Sequence, residues 1–223
     1  MGPRPGCVMG PNSFIWWDWV GRHTHVIWLA TLEHLRLTVL AVGIGLAISL
    51  VLAAISLRWR PLYTPLAAVA GILYTVPSLA LFALLLPITG FNTLTAEIGL
   101  VSYTLAIFLR NIVAGVDGVT PDVVDAADGM GYSGVRRLLT VELPLALPAI
   151  IAALRIATVT TVGLVTVTGL IGQGGYGSFI NSGLSRSFST EIVVGGGLSV
   201  VMAVVLDVVL LGVERLATPW RRA

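Results

Sequence analysis

Arg110, Arg155 and Asp207 each stand alone in a long apolar run of this chain. A charge in such surroundings is held by an opposite charge or reaches back to the lipid headgroups. At 1.5 Å per residue, Arg110 and Asp207 lie about 9 Å, and Arg155 roughly 10–15 Å, from the cytoplasmic ends of their runs. Sharing one level, Asp207 is expected to pair with Arg155 or Arg110; snorkelling is the competing use. Gly172, Gly174 and Gly177 fit the dinucleotide spacing G-x-G-x-x-G, yet no strand precedes them and no βαβ unit surrounds them. They read as a tight external turn. His23 and His25 lack a third ligand close in sequence and read as polar surface. No Ser-His-Asp set, HExxH helix or carboxylate pair within an apolar run is visible. All 13 basic residues are Arg, so no Walker A lysine exists and any ATP must be bound by another polypeptide.

The elements that would position these residues are membrane helices. Of 223 residues, 56% are hydrophobic and 11% charged, and the mean hydropathy is +0.94, more apolar surface than a soluble domain can hide. Residues 37–57 and 61–96 are charge-free apart from the flanking Arg58 and Arg60, and each exceeds the roughly 20 residues that cross a bilayer. Ile98–Val116, Leu145–Ile171 and Ile192–Val213 follow. The expectation is an all-α integral membrane bundle of about five transmembrane helices. Residues 61–96 form one helix plus a re-entrant or external continuation around Pro77 and Pro87; a sixth span would leave no room for a turn.

With the amino terminus outside, Arg58, Arg60, Arg136, Arg137, Arg215, Arg221 and Arg222 fall in the cytoplasm, against Arg4, Arg22, Arg36 and Arg186 outside. That places the carboxyl terminus and residues 117–144 inside. The high pI reflects this inner arginine, not a nucleic-acid patch. Residues 1–25 read as an extracytoplasmic segment, with Trp16, Trp17, Trp19 and Trp28 as an interfacial anchor and no cleavable signal core. The transmembrane domain is 26–223. The single Cys7 excludes an internal disulfide.

One polar, glycine-punctuated segment interrupts the apolar runs: Asp125–Pro144 reads DAADGMGYSGVRRLLTVELP. Thr120 is placed as an N-cap, Pro121 at the first helical position and Asp122 in the first turn. Val123, Val124, Ala127 and Met130 share one side of that helix; Asp122, Asp125 and Asp128 share another. Gly129 and Gly131 end it. A second segment, Ser133 to Glu142, is expected to stop before Pro144. Two short helices on a glycine hinge would make a knob able to dock in a cleft; an ordinary solvated loop has the same pattern.

Asp125, Ala126 and Ala127, then Gly131, then Val141, Leu143 and Pro144, resemble position for position the coupling loop of bacterial ABC importer permeases. Asp125 stands where that family has Glu, and Val141 where it usually has Ile. LRNIVAGVDGV (109–119), VELPLALPAIIAALRIATVTTVG (141–163), GLIGQGGYG (169–177) and YTVPSLALFALLLP (74–87) look like the osmoprotectant branch, whose importers carry glycine betaine, choline, carnitine and related quaternary amines. The resemblance implies a permease in the bacterial cytoplasmic membrane, paired with an identical or related permease. It further implies a cytoplasmic ATPase dimer, which holds ATP and Mg, and an extracytoplasmic solute-binding protein. The permease itself would hold no cofactor or metal and catalyse nothing. Tyr74, Ser78, Asn111, Thr158 and Thr161 are candidates for a polar solute path, core packing being the alternative for each. Permeases for methionine or other small solutes share the plan; a membrane enzyme or channel is the reading from a different class.

Overall fold

A computed structural model describes residues 15–219. Residues 1–14 of the amino-terminal segment, with Arg4 and Cys7, and residues 220–223, with Arg221 and Arg222, lie outside the described residues. Ten α-helices follow in order: α1 Trp17–Arg22, α2 Thr24–Arg58, α3 Tyr63–Thr75, α4 Ser78–Thr89, α5 Thr93–Asp117, α6 Pro121–Gly129, α7 Gly134–Arg137, α8 Leu143–Thr168, α9 Tyr176–Arg186 and α10 Ser189–Ala217. No strand occurs among the described residues.

Four helical stretches are long and apolar enough to cross a membrane: α2, α5, Gly134–Ile171 containing α8, and α10. The fifth is a broken pair, Arg60–Thr75 and Ser78–Thr89, bent by 98°. The bend sits at Val76, whose ψ of 129° is extended because the ring of Pro77 excludes the helical region from the residue before it. The carbonyl freed at Val76 is capped by the Tyr103 hydroxyl from α5, which pins the break. Pro87 does not break the chain; it lies inside α4.

The spans run longer than the charge-free runs. Instead of beginning near residue 37, α2 starts at Thr24, and at 35 residues it is about 52 Å long. Its leading turns contain His25, Glu33, His34 and Arg36, all compatible with a helix, so charge marks where lipid ends and not where the helix ends. Similarly α10 continues to Ala217.

Helix α5 is the centre. Phe108, Leu109, Ile112 and Val113 pack with Val42 and Ala53 of α2 and Ala153 and Ala157 of α8. A second cluster joins Leu37, Ala41, Phe82, Ala96, Leu100, Val165 and Ile171. By contrast α10 turns Val200, Val201, Val204, Val205, Val208 and Val209 outward, the pattern of a lipid-facing helix. The third cluster corrects one expectation: Trp19 is 8% exposed and packs with Ala30, Tyr176 and Phe179, whereas Trp17 and Trp28 remain open. Part of the tryptophan group is therefore core and not interfacial anchor.

Candidate functional site

In the segment 117–144, α6 starts at Pro121 with Thr120 in extended conformation at the N-cap position, although the Thr120 side chain makes no capping bond. The other end is fully capped. Tyr132 N–H donates to the Ala127 carbonyl at 3.1 Å and Gly131 N–H to the Asp128 carbonyl at 2.9 Å, with Gly131 at φ 79°. That is the Schellman pattern, which needs a left-handed residue at this place. Ser133 then caps α7 by accepting from Arg136 N–H at 3.4 Å.

The second segment does not stop before Pro144. Residues 138–142 form a π turn in which Leu143 N–H reaches the Leu138 carbonyl, five residues back, and the helix continues through Pro144 into α8. Proline has no N–H for the carbonyl four residues earlier and its ring crowds that carbonyl; widening the turn accommodates both. The knob is thus continuous with a membrane span.

Arg137 ties its two halves together. Its Nη1 donates to Asp128 at 2.7 and 2.6 Å, and its Nε to Glu142 Oε1 at 2.6 Å. Asp128 belongs to α6 and Glu142, 8% exposed, to the π turn. The charge pattern of the sequence singled out neither Arg137 nor Glu142. Outward, the knob shows Asp125, Ala126, Gly131 and Pro144, together with Met130, Val135 and Leu139 at 59–68% exposure. Ala127 is buried, and Val141 and Leu143 are half-buried against the knob's base. The Arg136 guanidinium lies over the Tyr132 ring at 4.3 Å. Apolar groups, carboxylates and one stacked cation are thus exposed together on this face of the knob.

Within the spans, the structure brings Arg155 and Asp207 together. Arg155 Nε and Nη2 donate to the two Asp207 oxygens at 2.8 and 3.0 Å, and Nη1 to Glu214 Oε2 at 3.3 Å. The bidentate geometry joins α8 to α10. Arg110 is not part of this network. It lines an open groove with Tyr74, Ala106, Ile107, Asn111 and Ile156. Ser78 is half-buried at the start of α4. Thr158 and Thr161 are buried in α8 at 6% and 1% exposure, away from the groove lining.

His34, which drew no attention as a residue of the sequence, is a buried junction. Its Nε2–H donates to the Val162 carbonyl of α8 at 3.1 Å, and Nδ1 accepts from Tyr176 N–H at 3.4 Å. The glycine turn 172–177 is clamped against it: Gly175 has φ 45°, and a Cβ there would lie 2.5 Å from the Ala30 carbonyl oxygen and 2.6 Å from His34 Cβ. Strain and overlap together predict that Gly175→Ala lowers the melting temperature of the purified protein by about 5–15 °C. A fluorescence-detected size-exclusion melt measures this; an unchanged midpoint would show that the turn does not fix α2 to α9. No cluster of metal-binding side chains occurs among the described residues, His23 and His25 included.

Known proteins resemble this chain over most of its length. Residues 43–222 match the family described as binding-protein-dependent transport system inner membrane component. The choline transport system permease protein OpuBB of Bacillus subtilis is 33% identical over 85% of this chain and 87% of its own. The osmoprotectant import permease protein OsmW of Salmonella typhimurium is 34% identical over 85% and 90%. Among solved structures, a chain of the MetNI methionine ABC transporter in an inward-facing conformation superposes with a TM-score of 0.78, at 18% identity, over 88% of this chain and 98% of that one. An amino acid ABC transporter gives a TM-score of 0.76 at 20% identity over 90% and 98%.

Proposed function

Because the chain belongs to the family of binding-protein-dependent transport inner membrane components and is an ABC importer permease, we propose that it carries quaternary-amine osmoprotectants such as glycine betaine, choline, carnitine or proline betaine. Relatives above 30% identity are named for choline, glycine betaine, carnitine or osmoprotectant import. The methionine alternative rests on structures below 25% identity and hence on fold alone.

The observation that carries the mechanism is the continuity of the 117–144 knob with α8. The capped helix α6 is closed by Arg137 onto the π turn, and α7 and that turn lead without a break into a span that is itself bound to α10 by Arg155. A push on Asp125, Ala126 or Gly131 is therefore transmitted as a rigid-body movement of α8 and α10. In this reading an ATPase dimer on separate chains receives the knob, closes on ATP and opens the permease outward; hydrolysis resets it inward. ATP and Mg stay on that partner. A second permease chain completes the path, and an extracytoplasmic solute-binding protein delivers the solute. Residues 1–25 lie outside, the domain 26–223 spans the bacterial cytoplasmic membrane, and the carboxyl terminus lies in the cytoplasm.

Two measurements test this. The purified complex should hydrolyse ATP several-fold faster when solute-loaded binding protein is added than when the empty form is added. With Cys7→Ser as background, Arg136→Cys should react with a membrane-impermeant maleimide in inverted vesicles and be protected in intact cells. Labelling from the outside would put the knob out of reach of any ATPase and end the proposal.

A further inference from the structure

The two arginines inside the spans are treated differently by the fold. Arg155 is neutralised by Asp207 and Glu214. Arg110 makes no ion pair among the described residues. The acids within reach of the inner leaflet are engaged elsewhere, Asp117 by Arg60 at 2.7 Å and Asp207 by Arg155. Glu97, on the same helix as Arg110, is thirteen residues and about 20 Å away along the axis. A guanidinium left unpaired in a membrane helix faces water, a headgroup or a ligand, because hydrocarbon does not accept it.

Its surroundings have the features of a small-solute site. Arg110 is exposed in the groove, and its Nη2 would lie 2.8 Å from a Cβ on Gly71, so the guanidinium rests against the α3 backbone. Tyr74 stands beside it, 44% exposed, its ring propped edge-on against Tyr103 at 5.9 Å. Tyr103 is itself held by the Val76 carbonyl at the bend of the broken span. The Asn111 amide is fixed by donating to the Ile107 carbonyl at 2.7 Å and leaves its second N–H for the groove. A guanidinium fork suits a carboxylate, and a tyrosine face suits a quaternary ammonium.

Resting on the osmoprotectant reading, we propose that this groove binds zwitterionic methylammonium carboxylates, the carboxylate on Arg110 and the ammonium against Tyr74, and so favours betaines over choline-like cations. A solute with only the positive group meets the Arg110 charge with nothing to offset it. The zwitterion satisfies both ends. The groove thereby adds a discrimination of its own to that of the binding protein.

The test uses the permease–ATPase complex without binding protein, with glycine betaine and choline as probes in saturation-transfer NMR. The wild type should bind glycine betaine at least about tenfold more tightly than choline, and Arg110→Gln should bring the ratio close to one by weakening glycine betaine and relieving the repulsion on choline. Arg110→Lys, gentler on folding, keeps the charge but loses the fork and should reduce the same ratio about threefold. A wild type that favours choline, variants that leave the ratio unchanged, or equal loss of both probes would overturn the proposal. Glycine betaine uptake into proteoliposomes by the complete wild-type system separates the two readings. Uptake with a ratio indifferent to Arg110 removes this proposal alone, whereas absence of uptake removes the osmoprotectant reading and this one together.

Discussion

Asp125→Arg should abolish co-purification of the ATPase while the permease still inserts and folds. Asp125 is exposed on α6 and makes no ion pair among the described residues, so reversing its charge removes no such pair from the permease. What would change is the proposed docking face, where a carboxylate would become a cation; a like-charge placement against the partner would cost the interface several kcal/mol. Gly131→Pro reaches the same end through the backbone. Proline fixes φ near −65° where the Schellman turn holds +79°, and it deletes the N–H that meets the Asp128 carbonyl. The end of α6 then cannot close, and the knob loses its shape. Gly131→Ala separates shape from bulk: a Cβ at Gly131 meets nothing within 4 Å, so alanine bears only the left-handed strain of about 1–2 kcal/mol and should retain partial association. Pull-down of the ATPase with tagged permease, checked against membrane-fraction yield, reads all three. Full retention of the ATPase by Asp125→Arg would mean that another surface is the docking site.

The start of α6 and the glycine that ends it were legible because such signals are local: Pro121 and Gly131 act within one turn of where they stand, whereas Thr120 holds the N-cap position without a side-chain bond. The depth of Asp207 was legible because helical rise is constant, and it led to Arg155 as one of two partners. Glu214 escaped because it lies just past the apolar run that ends at Val213, although it is seven positions from Asp207 and hence on the same face two turns further on. The bend at Val76 was legible in Pro77, but nothing local distinguishes Pro77 from Pro87; the choice depends on Tyr103, which arrives from another helix to cap the freed carbonyl. Helix α9 was missed for a related reason. Its polar, glycine-bearing sequence resembles a loop, and only packing of Tyr176 and Phe179 against Trp19 and Ala30 makes it an ordered part of the core. His34 falls on the same stripe of α2 as Ala30, Leu37, Thr38 and Ala41, and that periodicity could have marked it as buried.

Breaking the Arg155 network should be nearly as damaging as breaking the knob, and unequally so depending on which partner is removed. Arg155→Leu deletes the only cation that Asp207 meets among the described residues, stranding a carboxylate between α8 and α10. Asp207→Asn is milder. The amide oxygen still accepts one hydrogen bond, and Glu214 remains within 3.3 Å of the guanidinium. Asp207→Asn combined with Glu214→Gln should restore the severity of Arg155→Leu, because the unpaired member is then the arginine. The order of effect, with Arg155→Leu and the double variant losing most assembled complex and Asp207→Asn losing part of it, distinguishes a true network from two side chains that happen to sit together. Snorkelling makes the opposite forecast, since an arginine that reaches the headgroups has no need of Asp207, and Asp207→Asn would leave assembly and transport untouched. Assembly by size-exclusion chromatography and solute uptake in proteoliposomes decide between them. The same reasoning explains why a costly charge pair belongs here at all: α10 offers mostly valine to lipid, and apolar packing alone gives such a helix little to specify its rotation or depth against α8. A bidentate pair sets both, and a helix that must follow the knob through each transport cycle needs that register held.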